Sequence, residues 1–129
     1  MILSERIDAI ESGYEFMLAY AAQGRGTDKD AGGSGAGFEL REFLQKMEKA
    51  LDGLGSLIKS AIESQESNLG SSNAFLDAVE EDAKKSLGLV RLIMAQPDVS
   101  SMLIDNANAS IHLRALLTDL FVIDEAFDF

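Results

Sequence analysis

Hydrophobic residues recur along most of this chain at alternating steps of four and three, the spacing of one face of an α-helix. The first apolar stripe consists of Leu3, Ile7, Ile10, Tyr14, Met17 and Ala21. The second consists of Leu40, Leu44, Met47, Leu51, Leu54, Ile58 and Ala61. The third runs from Leu76 to Ile93 and ends before Pro97, because proline disfavours helical geometry at the residue before it. The strict two-residue alternation of strands is absent, so the pattern predicts an all-α protein.

The segment from Ser100 to about Asp128 differs, because it carries two apolar stripes on nearly opposite faces. One stripe contains Ala109, Leu113, Leu116, Leu120, Ile123 and Phe127. The other contains Ile104, Ala107, Ile111, Ala115, Thr118 and Val122. We predict one fourth helix that is apolar almost all round from Ile111 to Ile123. Since each helix of a four-helix bundle leaves one face in water, the surplus apolar face needs a partner.

The connections between these helices predict how they are arranged. Short connections after the second and third helices favour antiparallel neighbours. The first connection, residues 24–37, is long and glycine-rich, and we expect a flexible linker there. The 129 residues match the size of one domain. We therefore predict a single antiparallel four-helix bundle over residues 1–129.

Glycines within the predicted helices need a structural reason, because glycine destabilises a helix interior by about 1 kcal/mol relative to alanine. They are Gly13, Gly53, Gly55 and Gly88. We expect them to allow close approach of neighbouring helices. Asp52-Gly53 is a turn dipeptide, but the second apolar stripe keeps its phase through it, which favours one continuous helix.

Composition excludes several classes of function. The chain has no cysteine and one histidine, so disulfide scaffolds, thiolate metal sites and cysteine nucleophiles are absent. Twenty-two acidic and eleven basic side chains give a net charge of −11, which disfavours nucleic acid and membrane-surface partners. No apolar run approaches the ~20 residues needed to cross a bilayer, and no basic segment precedes an apolar one at the N-terminus. We expect a soluble, cytoplasmic protein.

The twelve residues from Asp28 to Glu39 lie between two predicted helices and resemble the calcium loop of the EF-hand family. Four positions match: Asp28 at position one, Asp30 at position three, Gly33 at position six and Glu39 at position twelve. The resemblance implies that Asp28, Asp30 and Glu39 are metal ligands. Position five is Gly32, which has no side-chain oxygen. Because ordering so many glycines costs entropy, we expect no calcium-dependent stabilisation.

His112 is the only residue that indicates acid–base chemistry. Asp105 and Asp119 lie seven residues to either side of it, and a carboxylate beside a histidine raises its pKa. No nucleophile or second base accompanies it, and the paired Glu-x-x-His motifs of di-iron bundles are absent. We predict no catalytic residues and no cofactor.

These patterns favour a non-enzymatic interaction or regulatory subunit that forms a homodimer and can bind a further protein. The predicted interface residues are Ile111, Leu113, Leu116, Leu117, Leu120 and Phe121 of the fourth helix, with Phe16 and Tyr20 of the first. The alternatives are a bundle that binds a small ligand or a metal and, behind it, a small all-α enzyme.

Overall fold

The computed structural model describes residues 1–29, 35–65 and 73–127, and every regular element in those ranges is helical. The helices are α1 (Leu3–Ala21), α2 (Ala36–Leu51), α3 (Leu54–Ser64), α4 (Asn73–Met94), α5 (Ser101–Ala109) and α6 (Ile111–Phe127). The all-α prediction is confirmed. The predicted number of four helices is wrong, because the second and the fourth are each divided in two.

The first division lies at Asp52 and Gly53. Asp52 has an extended backbone, and Gly53 has a φ of 71°, in the left-handed region that glycine adopts without a steric cost. Leu51 and Leu54 on either side are both buried. The apolar stripe therefore keeps its phase across the break, which is why periodicity alone predicted one continuous helix.

The second division lies at Ser110, whose φ of −60° and ψ of 135° interrupt the helix. This break allows each of the two apolar stripes of the segment to be buried in a different helix. The stripe with Ile104 and Ala107 is buried in α5, whereas the stripe with Leu116 and Leu120 is buried in α6. A single straight helix would have left one of these stripes exposed.

The helices pack around one hydrophobic core. α1 lies against α2 and α5, while α4 lies against α2, α3 and α6. The core includes the fully buried side chains of Ile10, Met17, Leu40, Leu44, Met47, Ile58, Ile93, Ile104, Leu116 and Leu120. Burial of each large apolar side chain contributes about 1.5–3 kcal/mol. No helix in the described ranges is both long enough and apolar enough to cross a bilayer.

Two of the helical glycines lie where helices approach closely, as predicted. A Cβ at Gly13 would clash with the Met47 side chain between α1 and α2, and a Cβ at Gly55 would lie 2.8 Å from the Glu80 Cβ between α3 and α4. The expectation is wrong for Gly53, which forms the break, and for Gly88, where an added Cβ meets open space.

Candidate functional site

A buried carboxylate joins three parts of the chain at one end of the molecule. Asp28 Oδ2 accepts a hydrogen bond from Arg41 Nε at 2.8 Å, and Asp28 Oδ1 accepts one from the Val99 backbone N–H at 2.7 Å. Burial by itself would raise the pKa of Asp28, but the hydrogen bonds from Arg41 and Val99 hold it below its ordinary value. We call Asp28, Arg41 and Val99 the polar joint.

Arg41 extends the polar joint to the end of α4. Its Nη1 and Nη2 atoms donate hydrogen bonds to the backbone oxygens of Met94 and Gln96, each at 2.9 Å. Carbonyls at a helix C-terminus lack partners within the helix and carry partial negative charge, so a guanidinium stabilises them. Arg41 therefore connects α2, the 22–29 segment and the C-terminus of α4.

Tyr20 and Ser101 connect the same region to α5. The Tyr20 hydroxyl donates to the Val99 backbone oxygen at 2.7 Å, and Ser101 Oγ donates to the Tyr20 backbone oxygen at 2.7 Å. Arg25 and Ser101 exchange two further hydrogen bonds, both at 2.8 Å. Within the predicted flexible linker, Arg25 is therefore hydrogen-bonded to α5 and Asp28 to α2.

Asp28, the first of the predicted metal ligands, accepts hydrogen bonds from Arg41 and Val99 on its two carboxylate oxygens. Glu39 is exposed on α2, and Asp30 lies outside the described residues. In the ranges that the structure describes, no three His, Asp or Glu side chains cluster closely enough to hold a metal ion. The absence of calcium-dependent stabilisation stays a prediction.

Most of the predicted interface residues lie inside the chain's own core. Tyr20, Leu113, Leu116, Leu117 and Leu120 are all buried, which corrects the prediction that they form an outer surface. The reason is the break at Ser110, which turns α6 so that these leucines face the core. Phe16 is half-buried and stacks on Phe43 of α2, with the ring centroids 4.6 Å apart.

Ile111 and Phe121, the other two predicted interface residues, are exposed on α6 at 65% and 55%, and so is Val122 at 51%. Arg114, Thr118 and Glu125 lie on the same side and are also exposed. We call Ile111, Arg114, Thr118, Phe121, Val122 and Glu125 the outer face of α6. At 1.5 Å per residue it extends for about 20 Å.

A groove of about 570 Å³ opens between the end of α1 and the start of α5. Its walls are formed by Ala21, Gly24, Arg25, Gly26, Ser100, Ser101, Met102 and Asp105. The Arg25 guanidinium lies over the Tyr20 ring, 5.6 Å from its centroid. The groove therefore combines an apolar wall with a cation on one side and an exposed carboxylate on the other.

His112 and its flanking carboxylates are not joined to one another among the described residues. In the part of the chain that the structure describes, no hydrogen bond joins His112 to Asp105 or Asp119, and Asp105 is exposed. Asp119 instead meets Asp82 of α4. No local sequence pattern indicates this partner, because Asp82 lies on a different helix, in the acidic run 80–82.

Comparison with known proteins gives no relative. No family model, no curated protein and no solved structure matches this chain. Its function is inferred from its own surfaces and chemistry.

Proposed function

We propose that this chain is a non-enzymatic interaction subunit that associates with a second copy of itself through the outer face of α6. The observation that supports this most is the exposure of Ile111, Phe121 and Val122 along one side of a single helix. Water penalises such apolar surface by about 25 cal/mol per Å². Association of identical surfaces about a two-fold axis is the commonest way to cover it.

The charges on this face favour a second copy in the antiparallel orientation. Arg114 is the only lysine or arginine of α6 and lies near its start, whereas Glu125 lies near its end. A two-fold axis that pairs antiparallel helices brings Arg114 of one copy toward Glu125 of the other, twice in each dimer. The face itself then carries no net charge, although each chain carries −11.

Light scattering over micromolar concentrations tests the proposal, with an expected mass of twice 13.9 kDa. Phe121→Glu should give a monomer, because the change places two carboxylates in the apolar contact. Leu18→Glu, on an exposed leucine of α1, is the matched control and should remain a dimer. A wild-type monomer throughout this range contradicts the proposal, and so does a dimer that only the control variant disrupts.

A charge exchange tests the orientation of the two helices. Arg114→Glu should weaken the dimer, and the double variant Arg114→Glu with Glu125→Arg should restore it. Restoration is expected only if these two positions meet across the two-fold axis. Equal weakening by the single and the double variant would contradict the antiparallel arrangement.

The groove between α1 and α5 favours a second function, binding of a small molecule with an apolar body and a charged group. Its volume lies in the range of ligand pockets, which is about 300–1,000 Å³. Gly26 lines the groove, and a Cβ added there meets no atom within 4 Å. Gly26→Val should therefore fill the groove without disturbing the fold.

Native mass spectrometry of the protein purified from its own cell tests this function. A bound small molecule on the wild type that is lost in Gly26→Val would support it. A wild-type chain that carries no added mass would contradict it.

A further inference from the structure

We propose that the Asp82–Asp119 carboxyl pair makes the contact between α4 and α6 depend on a shared proton, so that α6 packs firmly in mild acid and loosens in mild alkali. Both groups belong to one chain, so the inference does not depend on self-association. It concerns whether the helix that bears the outer face is held in place.

The first observation is the meeting of two acids between packed helices. Asp82 of α4 and Asp119 of α6 are both half-buried, and their carboxyl groups lie within hydrogen-bonding reach of each other. Asp119 Oδ2 is buried, and no hydrogen-bond donor of the described residues reaches it. Two carboxylates cannot bond to each other, but one proton between them supplies the missing donor. The geometry therefore favours the singly protonated pair.

The second observation concerns the ion pairs near these two acids. In the parts of the chain that the structure describes, the ion pairs of α4 engage Asp77, Glu80, Lys84 and Arg91, and none includes Asp82 or Asp119. The buried Ser86 hydroxyl, one turn beyond Asp82 on α4, also lacks a partner. Loss of the shared proton therefore leaves two negative charges facing each other across a half-buried contact.

The contact between α1 and α6 adds further acids. Asp124 of α6 faces Glu11 of α1, in a cleft that Asp8 also lines. Burial raises the pKa of Glu11, and the charges of Asp8, Glu15 and Asp124 raise it further. On α5, Asp105 is exposed. Within α6, Arg114 lies on the outer face and His112 forms no ion pair among the described residues.

These surroundings set the pH at which the contact changes. Burial, the hydrogen bond with Asp82 and the Asp82 charge raise the pKa of Asp119 from an ordinary 3.8 to about 7. Between these values the folded chain keeps a proton that the unfolded chain has lost. Stability therefore falls as the pH rises through this range, and the loss is complete above about 7.

Two measurements on the full chain test the proposal. Carbon-13 NMR of the Asp119 carboxyl should give a titration midpoint near 7. Hydrogen exchange, corrected for intrinsic rates, should show that the α6 amides are about ten- to a hundredfold less protected at high pH than at low pH. This range follows because one pKa unit corresponds to about a tenfold change in an equilibrium constant. A midpoint at the ordinary 3.8 would overturn the proposal.

Two variants distinguish the effect of the Asp82–Asp119 pair from the effect of general charge repulsion. Asp119→Asn keeps the shape and supplies a permanent donor to Asp82, so protection of α6 should become independent of pH. Glu81→Gln removes the same charge from an exposed neighbour on α4 and should retain the wild-type pH dependence. If Asp119→Asn does not fold, Asp82→Asn and the titration of the wild type test the proposal in its place. Equal effects of Asp119→Asn and Glu81→Gln would contradict a role for the pair.

Discussion

Two carboxylates of this chain each connect helices, but they face opposite partners. Asp28 is bound by the Arg41 guanidinium and by a backbone N–H, whereas Asp119 meets the carboxyl of Asp82. Both lie away from bulk water, so burial raises the pKa of each. Hydrogen bonds from a cation and an amide reverse that effect at Asp28, while a second acid adds to it at Asp119. The group that each carboxylate meets therefore determines whether its pKa is lowered or raised.

This difference gives the two contacts opposite responses to pH. The contribution of Asp28 is present above its ordinary pKa of 3.8 and is lost as the pH falls through its lower, folded-state pKa. The contribution of Asp119 is present below 3.8 and is lost as the pH rises to about 7. The polar joint thus remains intact at neutral pH, where the contact between α4 and α6 weakens.

The largest expected effect follows from removal of the carboxylate of the polar joint. Asp28→Ala leaves the Arg41 guanidinium and the Val99 N–H without their acceptor, which costs about 2–4 kcal/mol of unfolding free energy. Chemical denaturation at neutral pH measures this loss. Asp98→Ala is the control, since Asp98 is exposed although it pairs with Lys29 and Thr27, and it should unfold close to the wild type. Equal losses in the two variants would contradict the role of the polar joint.

A smaller effect should appear in the pH profile of the wild type. The unfolding free energy should be greatest near pH 3.8 and should decline as the pH rises to about 7, because the unfolded chain loses the proton that Asp119 keeps in the folded chain. Glu11, whose pKa is raised by burial and by neighbouring acids, adds to this decline. We expect a decline of about 1–2 kcal/mol, below the full value of the shift because the pair is only half-buried. Denaturant titrations at constant ionic strength measure it. A profile that does not fall between pH 3.8 and about 7 would contradict the difference between the two contacts.

Much of the fold could be predicted from the spacing of apolar residues. Ile10, Leu44 and Ile93 were placed on apolar stripes and are fully buried, because burial follows the helical period. The breaks could not be predicted in the same way. Gly53 is a local signal, but the stripe continues across it, and Ser110 is neither glycine nor proline. Tertiary packing of two apolar stripes against different neighbours determines the break at Ser110.

The polar contacts were beyond sequence interpretation because they join distant positions. Asp28 and Val99 are 71 residues apart, and no local pattern relates them. Asp28 stands out in the sequence for its place in an EF-hand-like spacing, and in the structure its oxygens accept hydrogen bonds from Arg41 and Val99. For Asp82 a weak signal existed, since it lies three residues after the buried Val79 and four before the buried Ser86. A residue at the edge of a stripe is close enough to a packed helix to meet a side chain there.

The smallest predicted effect comes from a variant that gives Asp119 a cationic partner, as Asp28 has in the polar joint. Asp82→Lys places an ammonium group opposite Asp119, so the carboxylate gains an opposite charge, as Asp28 has in Arg41. The gain in unfolding free energy at neutral pH should be only about 0.2–1 kcal/mol, because a half-exposed ion pair is screened by water and salt. The decline of stability between pH 3.8 and about 7 should shrink as the pKa of Asp119 falls. Glu81→Lys makes the same charge change on an exposed neighbour and should keep that decline. If the decline persists in Asp82→Lys, the acid–acid contact is not its cause, and the cleft that Asp8, Glu11 and Asp124 line becomes the next candidate.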